Sequence, residues 1–188
     1  MVDVRERPSI EEAPRATVDI NTAIRDTLAV LGRNELPVFQ RKDEISEMIR
    51  SNDLVIIEAE TGSGKSTVTP ILALLELQKR KPGGRVIVTQ PRRVAAESLD
   101  NYLMQTMGER VGFRHGGRRV ITDNTQLEFA IERSLLNDMV RNNDFLLLKY
   151  DTVILDEVHE RKVDLDILMP LLKKAQAKRK EMGKPLKI

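Results

Sequence analysis

The stretch Leu54-Val-Ile-Ile-Glu-Ala-Glu-Thr-Gly-Ser-Gly-Lys-Ser-Thr67 constrains this chain more than any other. A run of β-formers, Leu54 to Ile57, feeds a small-residue turn, Gly62-Ser63-Gly64, and then Lys65-Ser66 opens an apolar helical pattern. Strand, glycine turn and helix in that order make a phosphate-binding loop. Glycines let the backbone wrap a phosphate chain with its N–H groups inward, and the helix N-terminus adds partial positive charge. The loop residues Thr61, Gly62, Ser63, Gly64, Lys65, Ser66 and Thr67 are therefore the candidate nucleotide contacts. Lys65 suits the β- and γ-phosphates and the Ser66 hydroxyl suits Mg²⁺. The first glycine of the usual pattern is replaced by Ala59, at the strand end, where an alanine fits.

Composition narrows the setting. A chain of 188 residues with 40% hydrophobic content supports one domain with a proper core. The expected division is a charged, proline-rich and disordered segment over 1–17, followed by a domain over 18–188. Net charge is only +2, so nucleic-acid contact would have to come from local basic clusters. The cysteine count is 0, which excludes disulfides and thiolate metal sites. No apolar run is long enough to span a bilayer, and the N-terminus is charged where a signal peptide needs an apolar core. A soluble, cytoplasmic protein with no membrane partner is the expectation.

Along the chain, a helix is predicted from Asp19, with Ile20, Ile24, Leu28 and Leu31 on one side. A second helix carries Val38, Ile45, Met48 and Ile49 as a stripe and ends near Asn52. The helix after the phosphate loop buries Val68, Ile71, Leu72 and Leu75. Lys81-Pro-Gly-Gly84 is a turn, and Arg85 to Thr89 reads as a buried strand. Pro91 suits the first turn of a helix running to about Met107. Short strands are expected at Val111 to Phe113 and Val120 to Thr122, flanking a basic turn from Arg114 to Arg119. A helix is predicted from Gln126 to Val140 through Leu127, Ile131 and Leu135. The apolar run Thr152 to Leu155 has the composition of a strand buried on both faces. A last helix spans roughly Leu165 to Met182. Strands alternating with helices predict an α/β fold with a mostly parallel β-sheet flanked by helices, its ligands beyond the carboxyl ends of the strands.

Asp156 and Glu157 stand directly after the strand Thr152 to Leu155. A carboxylate there can hold Mg²⁺, and the neighbouring one can orient and deprotonate an attacking water; both lie within reach of a metal at that edge.

These strings also carry a family resemblance. Ala59-Glu-Thr-Gly-Ser-Gly-Lys-Ser-Thr67, Thr89-Gln-Pro-Arg-Arg-Val-Ala-Ala96 and Ile154-Leu-Asp-Glu-Val-His-Glu-Arg161 resemble motifs I, Ia and II of the DEAH/RHA group of superfamily 2 RNA helicases. Motif II reads DEVH in place of DEAH. Leu36-Pro-Val-Phe-Gln-Arg-Lys-Asp-Glu-Ile45 resembles the segment that precedes motif I in the same group. The likeness runs from about Leu36 to Leu172. It implies a RecA-like P-loop NTPase domain that binds ATP, or other NTPs, with Mg²⁺ and couples hydrolysis to movement on single-stranded RNA.

The resemblance also implies roles. Lys65 and Ser66 would hold phosphate and Mg²⁺, Asp156 the metal and Glu157 the water. His159 would couple the γ-phosphate state to the rest of the machine. Arg92 and Arg93 would meet the nucleic-acid backbone, and Thr122-Asp123 resembles the start of motif Ib, which tracks it too. Where many members stack an arginine on the base, this chain offers Tyr102, which suits either stacking or core packing. The basic turn Arg114 to Arg119 suits either phosphate binding or a solvated hairpin tip. Motif Ib departs from the family, with Asn124 in place of glycine.

Pro185 to Ile188 looks like the start of the strand leading into motif III. Motif III and the second RecA-like domain, with its arginine fingers, lie outside this sequence. The chain alone is therefore expected to hydrolyse nucleotide poorly. Two other readings stand beside the RNA helicase: a nucleotide-binding or interaction module without turnover, and a DNA-directed motor, since backbone contacts separate RNA from DNA poorly.

Overall fold

A five-stranded sheet in the order β3-β2-β4-β1-β5 organises the molecule. The structure is a computed structural model, and it describes residues 19–32, 35–90, 103–115, 118–141, 149–160 and 162–188. The strands are β1 (Val86–Thr89), β2 (Val111–His115), β3 (Arg118–Val120), β4 (Leu127–Ala130) and β5 (Thr152–Leu155). β1 pairs in parallel with β4 and β5, β4 pairs in parallel with β2, and only β3 runs antiparallel, at the edge. The helices are α1 (Ile20–Gly32), α2 (Pro37–Gln40), α3 (Lys42–Ser51), α4 (Lys65–Arg80), α5 (Glu132–Arg141) and α6 (Val163–Glu181). Residues 103–107 are helical as well. This is the α/β fold with a mostly parallel sheet that the alternation of patterns predicts.

Alternation along each strand sorts side chains to the two faces. Val86, Val88, Val111, Phe113, Leu127 and Phe129 face a core built with α1, α3 and α4. Ile87, Ala130 and Val153 face the opposite core, closed by Leu135 and Met139 of α5 and Leu165, Leu168 and Leu172 of α6. The sheet is thus buried on both faces, which is why β1 reads as an unbroken apolar run. At the start of α1, Asp19 accepts hydrogen bonds from the Thr22 backbone N–H at 2.9 Å and its hydroxyl at 3.0 Å, capping the helix. No helix among the described residues is long and apolar enough to cross a membrane.

Four expectations change. The helix read through Val38 and Ile45 breaks at Arg41 (φ −101°, ψ 19°) into α2 and α3. The basic turn is narrower than its composition suggests, because Arg114 pairs with Arg119 and His115 with Arg118 as strand residues. The helix expected from Gln126 starts only at Glu132, and Leu127–Ala130 is the strand β4. Leu127, Ile131 and Leu135 match a helical period, but main-chain pairing with β1 and β2 on either side holds 127–130 extended.

The fourth change concerns the segment ahead of the phosphate loop. Residues 55–60 form no strand ladder. They are joined to the sheet through Lys187 and Ile188, which occupy the space between this segment and β5. Lys187 donates to the Asp151 carbonyl at 3.1 Å and accepts from the Val153 N–H at 2.9 Å. Ile188 donates to the Asp53 carbonyl at 3.0 Å and accepts from the Val55 N–H at 2.9 Å. The phosphate-loop segment and β5 therefore stand one strand apart. Lys187 also sends its ammonium to the carbonyls of Ile49, Arg50 and Asn52 at 2.6–3.1 Å, closing the carboxyl end of α3. The 1–17 segment and the start of the helix at Pro91 lie outside the described residues.

Candidate functional site

The carboxyl ends of β1, β4 and β5 lie side by side, and the candidate residues leave the sheet there. Gly64 is the N-cap of α4, with φ +91°, and no side chain caps that helix end. Its first N–H groups are left pointing at the loop, the arrangement that binds anions. Gly62, at φ +81°, has open space where a Cβ would sit, so its glycine is needed for backbone conformation alone.

Lys65 begins α4 and sends its ammonium back across the loop to the Ala59 carbonyl at 2.6 Å. Ser63 is buried; its N–H donates to the Glu60 carbonyl at 3.2 Å, and its hydroxyl has no partner among the described residues. Ser66 and Thr67 follow on the first turn of α4, half-buried, and Thr61 is exposed at the loop's edge.

β5 delivers the acidic pair. The Asp156 N–H donates to the Thr89 carbonyl at 3.2 Å, tying the exit of β5 to the end of β1. One oxygen of its carboxylate accepts the Glu157 N–H at 3.0 Å, and the other has no hydrogen-bond partner among the described residues. Glu157 adopts φ +52°, a left-handed conformation unusual for a residue with a side chain. A short 3₁₀ turn, Val158–Glu160, follows and brings His159 Nδ1 to 3.3 Å from a Glu157 carboxylate oxygen, with His159 itself largely exposed. Both acids are half-buried. Among the described residues no cage of three or more His, Cys, Asp or Glu side chains exists. Ser66 and Asp156 supply hard oxygen donors, which suits Mg²⁺ held by few protein ligands together with phosphate oxygens and water.

Sequence reasoning missed a second group at the same edge, where β4 passes into α5. Glu132 is buried, and Lys162, just past the acidic motif, reaches its carboxylate at 3.3 Å and that of Glu160 at 3.2 Å. Arg133 pairs with Asp164 at 2.9 Å. The start of α5 is thereby clamped to the segment that carries Asp156, Glu157 and His159. Reading β4 as part of a helix hid this, because a helix from Gln126 would not bring 132 to the carboxyl edge. Gln90, just past β1, is buried there with its side-chain oxygen unpartnered among the described residues.

Thr122 and Asp123 stand elsewhere. They sit in the turn between β3 and β4, at the amino ends of the parallel strands. Thr122 donates its N–H to the Thr125 hydroxyl at 2.9 Å, and the Asp123 carbonyl accepts from Arg85 at 2.8 Å. The structure does not bring this pair to the edge that holds the phosphate loop. Within the basic turn, Arg114 is turned inward to Asp138 at 2.6 Å and Glu128 at 3.2 Å. It is thus engaged by carboxylates of the fold. Arg92, Arg93 and Tyr102 lie outside the described residues.

Comparison with known proteins matches residues 40–180 to the DEAD/DEAH box helicase family model. The probable ATP-dependent RNA helicase DHR2 of Saccharomyces cerevisiae is 39% identical over 145 residues, covering 75% of this chain and 20% of the yeast protein. The ATP-dependent RNA helicase DHX33 of Homo sapiens is 39% identical over 163 residues, covering 84% of this chain and 22% of that protein. The ATP-dependent RNA helicase HrpA of Borreliella burgdorferi is 33% identical over 149 residues, covering 77% of this chain and 18% of its own length. The chain spans about a fifth of the length of these relatives.

Proposed function

The chain belongs to the DEAD/DEAH box helicase family, and from that premise we propose that it is the ATP-binding part of a DEAH-type, ATP-dependent RNA helicase. The observation that carries this reading is a geometric one. An uncapped helix N-terminus with its glycine loop, and an Asp-Glu pair leaving β5, share one edge of the sheet and stand a single strand apart. Binding a triphosphate on one side and handling a water on the other is what that arrangement can do.

Each residue has a task in this reading. Backbone N–H groups of Gly62, Ser63, Gly64 and Lys65 receive phosphate oxygens, with Thr61 and Thr67 at the loop's margins. The Lys65 ammonium exchanges the Ala59 carbonyl for a phosphate oxygen, a move that needs only a side-chain rotation. Ser66 and the second carboxylate oxygen of Asp156 would hold Mg²⁺, with Glu157 beside them. Bound Mg²⁺ would supply charge neutralisation across the β- and γ-phosphates. Glu157 accepts the proton of the attacking water, and His159, in reach of the same carboxylate, senses its state. Tyr102 is assigned to the base, and Arg92 and Arg93 to the backbone of single-stranded RNA. No such task is assigned to Thr122 and Asp123, since a strand of RNA lying along the phosphate-loop edge would not pass the opposite end of the sheet. Fast hydrolysis needs positive charge brought to the transition state, a contribution that a second RecA-like domain would make. A cytoplasmic setting, rich in ATP and Mg²⁺, fits the activity.

Titration with a fluorescent ATP analogue and Mg²⁺ tests the reading. Saturable binding is expected, weakened at least tenfold in Lys65→Ala and retained in Glu157→Gln. Residual Mg²⁺-dependent phosphate release should disappear in Glu157→Gln. A chain that shows no saturable, Mg²⁺-dependent binding would overturn the assignment.

A further inference from the structure

The segment ahead of the phosphate loop touches it in two places. The Val38 N–H, on the first turn of α2, donates to the Ser63 carbonyl at 3.0 Å. Leu36 packs flat against Gly64: a Cβ built there would lie 2.9 Å from Leu36 Cδ1 and 3.0 Å from its Cβ. Both contacts fall on one peptide unit, that between Ser63 and Gly64. The unit is planar and trans, so its carbonyl and its N–H point in opposite directions. Holding the Ser63 carbonyl outward on Val38 therefore turns the Gly64 N–H away from Val38 and across the loop. With Gly62 and Gly64 both at positive φ, little in the loop itself resists a flip of this peptide. A flipped unit would present a carbonyl oxygen where a phosphate needs a donor.

The bracket is itself stiff. Pro37 confines Leu36 to extended geometry, and Leu36 sits at φ −62°, ψ 129° as the N-cap of α2. Its carbonyl accepts the N–H groups of Phe39 at 2.9 Å and Gln40 at 3.2 Å. On the far side, the Phe39 ring presses on Gly32, the last residue of α1, where an added Cβ would lie 2.8 Å from two ring atoms. Two close approaches to glycine thus connect α1 to the phosphate loop through a four-residue helix.

We infer that Leu36 is a positioning residue for the nucleotide site: together with the Val38 N–H it locks the Ser63–Gly64 peptide in the donor-inward orientation before phosphate arrives. Leu36 touches no phosphate. It acts by denying the loop its alternative conformation, so its removal lowers affinity because only the correctly oriented fraction can bind. The inference rests on the nucleotide-site reading above.

The test measures binding of a fluorescent ADP analogue with Mg²⁺ to the full chain and its variants. Leu36→Ala is expected to weaken binding at least tenfold, and Leu36→Met, which restores the bulk against Gly64, to return it to within threefold of wild type. In ¹⁵N-glycine-labelled protein, Mg²⁺-ADP should move the Gly64 amide resonance downfield, and Leu36→Ala should reduce that shift. If Leu36→Ala does not fold, Leu36→Val carries the same test with a smaller loss of bulk. A folded Leu36→Ala or Leu36→Val chain binding within twofold of wild type, with the Gly64 shift intact, overturns the positioning role alone. Absence of saturable binding to wild type overturns the nucleotide site and this inference with it.

Discussion

Glu157 carries a local cost in its backbone. Its left-handed backbone, φ +52°, costs of order 1 kcal/mol for a side chain of this kind. Asparagine tolerates that conformation better. Glu157→Asn is therefore expected to raise the urea midpoint, corresponding to about 0.5–1 kcal/mol, while abolishing phosphate release. Equilibrium unfolding followed by circular dichroism checks the first and a phosphate assay the second. A variant that is both less stable and inactive would argue against strain at this position. The placement of Lys65, Asp156 and Glu157 at one edge of the sheet was legible in the sequence, because a glycine turn or an apolar strand run stands next to each in the chain. Glu132 and Lys162 were not. Their ion pair joins residues thirty positions apart, and nothing local marks either as a partner.

Elements that close on themselves were legible in the same way, and those that depend on neighbours were not. α4 and β5 carry their signals internally, as a helical stripe after a glycine turn and as an unbroken apolar run. β4 holds a glutamate in its middle, and a charge there argues against a buried strand. Glu128 is nevertheless almost fully buried, because Arg114, Lys149 and the Tyr150 hydroxyl converge on it from β2 and from the residues ahead of β5. Such compensation is visible only in three dimensions. The approach to β5 has a comparable knot. Asp151 accepts from the Lys81 ammonium at 2.8 Å, the Arg85 N–H at 3.2 Å and the buried Arg179 guanidinium at 3.1 Å. Burial alone would raise its pKa, but these donors together outweigh it and hold the carboxyl below its ordinary value. A depressed native pKa gives stability that is present above the unfolded value of about 3.9 and is lost as pH falls through the native one. Asp151→Asn, which leaves Arg179 buried without its counter-charge, is expected to cost about 3 kcal/mol at pH 7. That deficit should shrink as pH falls below about 4. Denaturant midpoints of the two proteins across pH 3–7 check both the size and the direction.

For the molecule as a whole, the consequential feature is the thin connection between the phosphate-loop segment and the sheet. Lys187 and Ile188 make that connection with four main-chain hydrogen bonds, two to β5 and its approach and two to the segment ahead of the phosphate loop. The same connection has a mechanical reading. The four hydrogen bonds of Lys187 and Ile188 lie between the phosphate loop on one side and the strand of Asp156 on the other. Strain on these rungs would therefore be felt first as a change in spacing between the loop and the acidic pair.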